Sequence, residues 1–221
     1  MKDNRINLDL ERKLRRYAIS SLIKYIVIGQ GVIFLLLYAW PSLGSRLYNL
    51  MTLSRAAIFR GEIWRLVTFI FIPPNSSPLF ILFAPYFYYT IGLVLEARWG
   101  TVRFNLYYAV GMLAAVVSCL LTGYATNTFL NLSLLFAYAA LYPDEQVLLF
   151  MFLPIKMKYL AAIDAAFYLY QFVVGTASTR VTIILCLANV LLFLGGDLLH
   201  MLRRESQYWK TRYNFRKAMR K

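Results

Sequence analysis

The residues of this chain whose types could do chemistry stand close together in one apolar stretch. They are hydroxyl and amide side chains, namely Thr126, Asn127, Thr128, Asn131 and Ser133. Polar groups are costly in apolar surroundings, so a cluster of them has either a catalytic or a structural task. A nucleophilic hydroxyl needs a base within hydrogen-bond reach, whereas amides and small hydroxyls can also join helices. The elements that position these residues decide between the two tasks.

Long uncharged stretches predict that those elements are membrane-spanning helices. The chain has 221 residues, of which 60% are hydrophobic and only 15% are charged, against about 25% charged in soluble domains. No charge falls in residues 25–45, 66–95 or 104–143, and about 20 apolar residues suffice for a helix that crosses a bilayer. The sequence therefore predicts an all-α polytopic membrane protein.

The hydrophobic pattern fits six spans, with a short fourth helix that begins in the polar cluster. The spans are expected at about 25–41, 79–96, 103–122, 128–142, 159–174 and 181–202. Pro73 and Pro74 prevent a continuous helix before the second span. Residues 42–65 are expected to form a long interfacial connection with a mixed helix over Ser45–Phe59. Residues 147–155 are apolar but too short to cross.

The basic residues predict the orientation. Lys and Arg are concentrated in the segments 1–21 and 203–221 and at the turns that follow spans two and four. With six spans all of these lie on one side, which the positive-inside rule assigns to the cytoplasm. We therefore expect a cytoplasmic amphipathic segment over 1–21, a membrane domain over 22–202 and a cytoplasmic tail over 203–221. The exceptions lie in the first outer connection, where we expect them to snorkel to the interface; they are Arg46, Arg55, Arg60 and Arg65.

Charge and composition narrow the range of partners. The net charge of +14 favours the anionic lipid of the inner leaflet over nucleic acid, because the basic runs adjoin membrane spans. Cys119 and Cys186 lie inside spans, where packing is expected rather than a disulfide. One histidine and two cysteines are too few for a zinc site. We expect no cofactor, no metal and no nucleic-acid partner.

A serine–histidine pair does not fit the predicted helices. Ser133 lies about 8 Å along the fourth span, whereas the only histidine, His200, lies about 28 Å along the sixth. Both spans run in the same direction, so the two side chains differ in depth by about 20 Å, and a nucleophile and its base need about 3 Å. We interpret His200 as an interfacial histidine at the end of a helix.

Four segments, taken in order, resemble the rhomboid family of intramembrane serine proteases and their inactive relatives. They are GEIWRLVTFIF (61–71), YYTIGLVLEARWG (88–100), AYAALYPDEQVLLFMFLPIKMKYL (137–160) and LANVLLFLGGDLL (187–199). The positions that match the family's motifs are Trp64, Arg65, Gly92, Glu96, Gly100 and Gly196. The resemblance covers residues 58–202 and implies a rhomboid-like bundle of six helices.

The catalytic positions of that family are altered in this chain. Alignment on the motifs places Thr128 at the serine, Ala84 at the oxyanion-stabilising asparagine and Phe193 at the general-base histidine. Phe80 stands where the family has a further histidine in the second helix. The resemblance therefore implies an inactive member of the pseudoprotease type.

Two carboxylates, Asp164 and Asp197, fall inside predicted spans, where ionisable groups are functional candidates. Each lies near basic residues at the inner face, so local neutralisation is expected rather than a proton relay. For Asp164 the neighbouring cations are Lys156 and Lys158. Glu96 is expected to cap the turn after the second span.

For the polar cluster two interpretations stay open. The fourth helix has about 15 residues and a length of about 22 Å, so it must be surrounded by other helices. In one interpretation the cluster packs the bundle: Asn127 and Asn131 bond neighbouring helices, and small residues allow close approach. That small-residue stripe is Ser133, Ala137 and Ala140. In the other, the cluster also lines a cavity that accepts client proteins, through Thr126, Asn127, Thr128, Asn131 and Ser133.

The resemblance implies a non-catalytic rhomboid-like protein of the cytoplasmic membrane that binds transmembrane segments of client proteins. The alternative is a rhomboid-type intramembrane serine endopeptidase with an atypical site. A transporter fits less well, because Asp164 and Asp197 lie too near the inner face. A purely structural membrane partner would use the same surface as a client-binding protein, so the sequence does not separate those two.

Overall fold

The computed structural model describes residues 14–73, 78–149, 153–176, 179–185 and 187–195. The chain is mostly helical. Its helices are α1 (Leu22–Ala39), α2 (Pro41–Met51), α3 (Arg55–Phe59), α4 (Arg65–Thr68), α5 (Pro78–Trp99), α6 (Thr101–Thr122), α7 (Thr128–Leu141), α8 (Met157–Val174) and α9, which covers 179–185 and 187–195. A 3₁₀ turn (Phe69–Phe71) follows α4, and the short strands are β1 (Leu53–Ser54), β2 (Tyr124–Ala125), β3 (Gln146–Leu149) and β4 (Leu153–Lys156).

The short helix α7 lies at the centre of the fold. Most of its side chains between Leu130 and Ala139 are buried, and α5, α6 and α8 all pack against it. Helix α1 packs on α5 and on α2, the helix that directly follows it in the chain. The prediction that a short helix at this position must be surrounded by other helices is confirmed.

Two helices have the length and hydropathy of a membrane span. They are α1, with a mean hydropathy of 2.0, and α6, with 1.8. Only 22% of the apolar window of α1 and 39% of that of α6 is buried, whereas the core helix of a soluble protein would be mostly buried. Large exposed apolar surfaces mark contact with a membrane or a partner, so these helices support membrane association. Six crossings stay a prediction, because within the described ranges no further helix meets both criteria.

The mixed helix predicted over Ser45–Phe59 is wrong. Helix α2 ends at Met51, and the chain then forms β1, which pairs antiparallel with β2. Helix α3 begins only at Arg55, whose backbone N–H donates to the carbonyl oxygen of Gly123 at 3.0 Å. Backbone pairing with the turn between α6 and α7 therefore replaces the middle of the predicted helix.

The segments around the prolines and after α7 depart from a simple helical pattern. As predicted, the chain before Pro73 does not continue as an α-helix but passes from α4 into the 3₁₀ turn. The described parts of the apolar stretch 147–155 lie in β3 and β4, which pair antiparallel with Gln146 opposite Lys156. Short strands of this kind were not predicted for an all-α chain.

Candidate functional site

The start of α7 meets the chain where the helix before the prolines breaks. A continuing helix would bond the carbonyl oxygen of Ile70 to the N–H of residue 74, but Pro74 has none. Two buried amides bond that oxygen instead: Gln30 Nε2 at 2.9 Å and Asn127 Nδ2 at 3.2 Å. Asn127 Nδ2 also donates to the carbonyl oxygen of Ile72 at 2.6 Å. These side chains satisfy backbone groups that the prolines leave open, which buried backbone requires.

The two asparagines of the polar cluster therefore differ. Asn127 bonds a neighbouring segment, as predicted, although its acceptors lie in a broken helix rather than an intact one. Asn131 lies one turn further along α7 and is 3% exposed. Its Nδ2 has no hydrogen-bond partner among the described residues. Bonding between neighbouring segments thus explains why the amide of Asn127 is buried. It does not explain the burial of the Asn131 amide, whose Nδ2 bonds none of the described residues.

The hydroxyl groups of the cluster meet no base in the described part of the chain. Thr128 is exposed, and its Oγ1 accepts a hydrogen bond from Thr126 Oγ1 at 3.2 Å. Ser133 is buried and donates to the carbonyl oxygen of Leu130 in its own helix at 2.7 Å. Neither has a carboxylate or imidazole partner there, and His200 lies outside the described residues. A hydroxyl that donates to its own backbone is not activated as a nucleophile.

The close approach of helices at α7 depends on a glycine of the neighbouring helix. Of the predicted small-residue stripe, Ser133 and Ala137 are buried, and Ala140 is half-buried. A Cβ atom built at Gly111 of α6 would overlap the side chains of Leu130 and Asn189. Gly111 is therefore what lets α7 and α9 come close to α6.

A buried polar junction between α6, α7 and α9 was missed by the sequence reasoning. Ser118 Oγ and Thr182 Oγ1 lie 2.5 Å apart, and Asn189 Nδ2 donates to the carbonyl oxygen of Tyr107 at 3.5 Å. Ser133, Thr182 and Asn189 line a cavity of about 20 Å³, which is large enough for one water molecule. Ser133 belongs to the predicted polar cluster, whereas no periodic pattern marks Ser118, Thr182 or Asn189 in the sequence.

A larger and almost wholly apolar cavity opens between α7, α8 and α9. Its volume is about 400 Å³. The walls include Leu132 and Phe136 of α7, Leu169 and Phe172 of α8, and Ile183 and Ile184 of α9. No member of the polar cluster lines this cavity, whereas Ser133 lines the smaller one. The polar cluster and this apolar cavity are therefore separate places.

Arg65 stabilises the connection between α1 and α5 through hydrogen bonds to three of its residues. Its guanidinium donates to Glu62 Oε2 at 2.5 and 2.7 Å and to the carbonyl oxygens of Asn49 and Thr52 at 2.5 and 2.7 Å. The side chain is 9% exposed, so the expectation that Arg65 snorkels to the interface is wrong. Its neighbour Trp64 is half-exposed, and the indole N–H donates to a carbonyl group of α2.

Two of the glycines at the aligned motif positions, Gly92 and Gly100, occupy sites where a larger side chain would clash or strain the backbone. Gly92 is buried, and a Cβ there would overlap the side chain of Ile23, so it allows α1 to pack on α5. Gly100 has a φ of 84° between α5 and α6, a value that glycine adopts without strain. Gly196 lies outside the described residues.

Glu96 acts on a different element from the one expected. The carboxylate is buried, and its Oε1 accepts the backbone N–H of Ser21 at 2.9 Å. Ser21 precedes the first residue of α1, where backbone N–H groups lack partners within the helix and negative charge is favourable. Glu96 therefore holds the start of α1, rather than capping the turn after its own helix.

The positions aligned with catalytic residues carry apolar contacts or open surface. Ala84 is half-buried on α5. Phe193 of α9 packs edge-on against Tyr107 of α6, with ring centroids 5.2 Å apart. The backbone of Phe80 lies in α5, and its side chain lies outside the described residues.

The predicted neutralisation of Asp164 is wrong. Both lysines assigned to it form ion pairs with Asp144 instead, Lys158 at 2.7 Å and Lys156 at 3.6 Å. The hydrogen bond and charge of Lys158 lower the pKa of Asp144. Asp164 itself is half-buried, and no cation pairs with it within the described ranges. Asp197 lies outside those ranges.

Comparisons with known proteins identified no relative of this chain. Among the residues that the structure describes, no group of three or more His, Cys, Asp or Glu could hold a metal ion. Searches against protein-family models, curated proteins and solved structures found no match for this chain.

Proposed function

We propose that this chain is a non-catalytic membrane protein whose helical bundle binds transmembrane segments of other proteins. The proposal takes up the resemblance to inactive members of the rhomboid family. It includes six crossings of the cytoplasmic membrane, both termini in the cytoplasm, and basic terminal segments on the anionic inner leaflet.

The exposed apolar surface supports a membrane setting. Helix α8 exposes Ile163, Phe167 and Val173 by more than half of their surface, and α1 exposes Ile28 and Leu35 similarly. Apolar faces of this extent are unfavourable in water and neutral in hydrocarbon. A bilayer satisfies both helices without a further protein layer.

The contacts of the hydroxyl groups support a non-catalytic role. Thr128 pairs with Thr126, and Ser133 pairs with a carbonyl group of its own helix. Phe193, at the position aligned with the general base, packs against Tyr107 and has no proton to exchange. The endopeptidase alternative gains no support from these contacts.

The observation on which client binding chiefly rests is the apolar cavity between α7, α8 and α9. Its volume of about 400 Å³ has room for several apolar side chains of a helix inserted beside α8. Helix α8 packs on α7 and β4, and its last turn accepts hydrogen bonds from Arg180 of α9, so the cavity opens between helices that are joined at one end. A lateral opening of this kind fits an apolar, helical client.

Site-specific photo-crosslinking tests the proposal. A photoreactive residue replaces Leu169 or Ile184 at the cavity in the full chain in native membranes, and matched variants carry it at Ile28 or Leu113. All four positions are apolar and 53–67% exposed, so lipid contact alone gives equal yields. Adducts with membrane proteins that form only at Leu169 and Ile184 support the proposal, and equal adducts at all four overturn it.

A serine-directed probe separates the two rhomboid-like functions. A fluorophosphonate is expected to leave the chain unlabelled, because neither hydroxyl is activated. Labelling that disappears on Thr128→Ala or Ser133→Ala would establish the endopeptidase instead.

A further inference from the structure

Asp164 is a carboxylate inside an apolar helix that has no counter-charge in the described part of the chain. It lies seven residues after Met157, the first residue of α8, and so about 10 Å along the helix. The neighbouring side chains Ile163, Phe167 and Tyr170 are exposed and apolar or aromatic. A charge in such a position is energetically costly, so an ionisable residue there is a candidate for a functional role.

Asp164 does not itself line the apolar cavity, but it lies next to residues of α8 that do. Ala165 follows it, and Tyr168 lies one turn further along α8; both line the cavity. On the other side, Tyr88 of α5 lies within electrostatic reach of Asp164. Helix α8 packs on α7 and β4. The acidic group therefore lies beside the apolar cavity that a client helix would enter.

The surroundings define what could neutralise this charge. The lysines nearest to Asp164 in the sequence are Lys156 and Lys158, and both form ion pairs with Asp144. An amine of a lipid headgroup lies at the membrane surface, whereas the carboxylate lies about 10 Å along the helix from its end. A cation at this depth must be brought in by an apolar segment, and Lys and Arg have long apolar stems that can reach across a helix surface.

We infer that Asp164 recognises a lysine or arginine within the transmembrane segment of the bound protein, at about 10 Å from the β4 end of α8. The inference rests on the proposed function and narrows it to clients whose spans carry a basic residue. Such a residue is itself costly in lipid, so pairing with Asp164 relieves an unfavourable charge on both partners.

Binding of synthetic transmembrane peptides to the full chain in phosphatidylcholine nanodiscs tests the inference. The host peptide is a Leu/Ala helix of about 23 residues. One peptide carries Lys at the depth of Asp164, a second carries Lys at the mirrored depth, a third carries Glu, and the fourth is the uncharged host. We expect the first to bind about 10-fold more tightly than the host, and the second less than 3-fold more tightly.

Variants of the protein assign the preference to the carboxylate. Asp164→Asn should remove the preference for Lys, and Asp164→Lys should transfer it to the Glu peptide. Asp144→Asn, a matched change of an exposed and ion-paired carboxylate, should keep the preference for Lys. The charge swap guards against misfolding, since a gain of Glu binding requires a folded protein.

The outcomes separate this inference from the function on which it rests. If the host and the Lys peptides bind equally, or if Asp164→Asn keeps the preference, the role of Asp164 is overturned while client binding stands. If no peptide binds, the proposed function fails as well. If phosphatidylethanolamine in the nanodiscs abolishes the preference, a lipid amine occupies the site and the inference is overturned.

Discussion

The junction around Ile70 and the surface of α8 are built in opposite ways. At the junction, buried amides from α1 and from the start of α7 bond one carbonyl group, with distances and angles that fix the position of each partner. Helix α8, in contrast, exposes much of its apolar surface, although its last turn accepts hydrogen bonds from Arg180 of α9. Hydrogen bonds are directional, whereas apolar contact is not. The molecule thus combines a junction fixed by directional bonds with a helix that exposes a large apolar face.

The largest effect is expected from removal of the Arg65 guanidinium, which stabilises the connection between α1 and α5. Arg65→Ala leaves Glu62 and two backbone carbonyl groups without their donors, and we expect a loss of about 3 kcal/mol in the free energy of unfolding. The exposed Arg60, which bonds only a carbonyl of its own turn, serves as the control, and Arg60→Ala should cost less than about 0.5 kcal/mol. Denaturant unfolding in bicelles measures both free energies. Equal losses in the two variants would show that Arg65 does not stabilise this connection more than an exposed arginine does.

A double-mutant cycle tests the shared carbonyl group. Gln30→Leu and Asn127→Leu should each cost about 1–2 kcal/mol. Together they should cost more than the sum, because either amide alone still bonds the Ile70 oxygen and only the double variant leaves it unsatisfied. Thr128→Ala, at an exposed neighbour, should change stability by less than about 0.5 kcal/mol. Strict additivity would show that the two amides act independently.

Gly111→Ala tests the close approach of α6 to α7 and α9. The added methyl group would overlap Leu130 and Asn189, so we expect a loss of about 1–2 kcal/mol. Gly31→Ala is the matched control, because nothing lies within 4 Å of the Cβ position there. In that control the higher helix propensity of alanine should give a neutral or slightly positive change of about 0.5 kcal/mol. Thermal unfolding of both variants decides whether packing or propensity dominates.

The smallest effect on stability is expected from the ion pair between Asp144 and Lys158, at the start of α8. Lys158 lowers the pKa of Asp144 in the folded protein, so the ion pair stabilises the fold above the ordinary pKa of about 3.9. That contribution should disappear as the pH falls from about 4 through the lowered pKa. The group is exposed, so salt should suppress the effect. Unfolding measured against pH, with Asp144→Asn as the variant without the titration, should show a slight difference at pH 5 and none below the lowered pKa.

The sequence predicts the features that depend on local chemistry. Proline at 73 and 74 predicts the break after α4, and the apolar runs predict α6, α7 and α8 to within a few residues. The burial of α7 follows from its shortness, because a helix too short to span hydrocarbon needs neighbours at both ends. These predictions need only the covalent properties of the residues and the thickness of a bilayer.

The partners of polar side chains were harder to predict, because they depend on tertiary geometry. Lys158 lies six residues from Asp164, about 9 Å along a helix, and appeared to be its natural partner. The β3–β4 hairpin instead brings Asp144 to Lys158, and the backbone N–H of Lys158 donates to the carbonyl oxygen of Pro143. Arg65 was misjudged for the same reason, since its acceptors are backbone groups that no side-chain pattern reveals.

The carbonyl oxygen of Ile70 also sets an order of assembly. One of its donors is in the first helix and the other lies beyond the middle of the chain, at Asn127. While the protein is being synthesised, the early helices can associate with one another, but this corner stays incomplete until residue 127 has been added. The N-terminal half on its own would therefore be a poorly fixed intermediate, accessible to chaperones and proteases until Asn127 bonds the Ile70 oxygen.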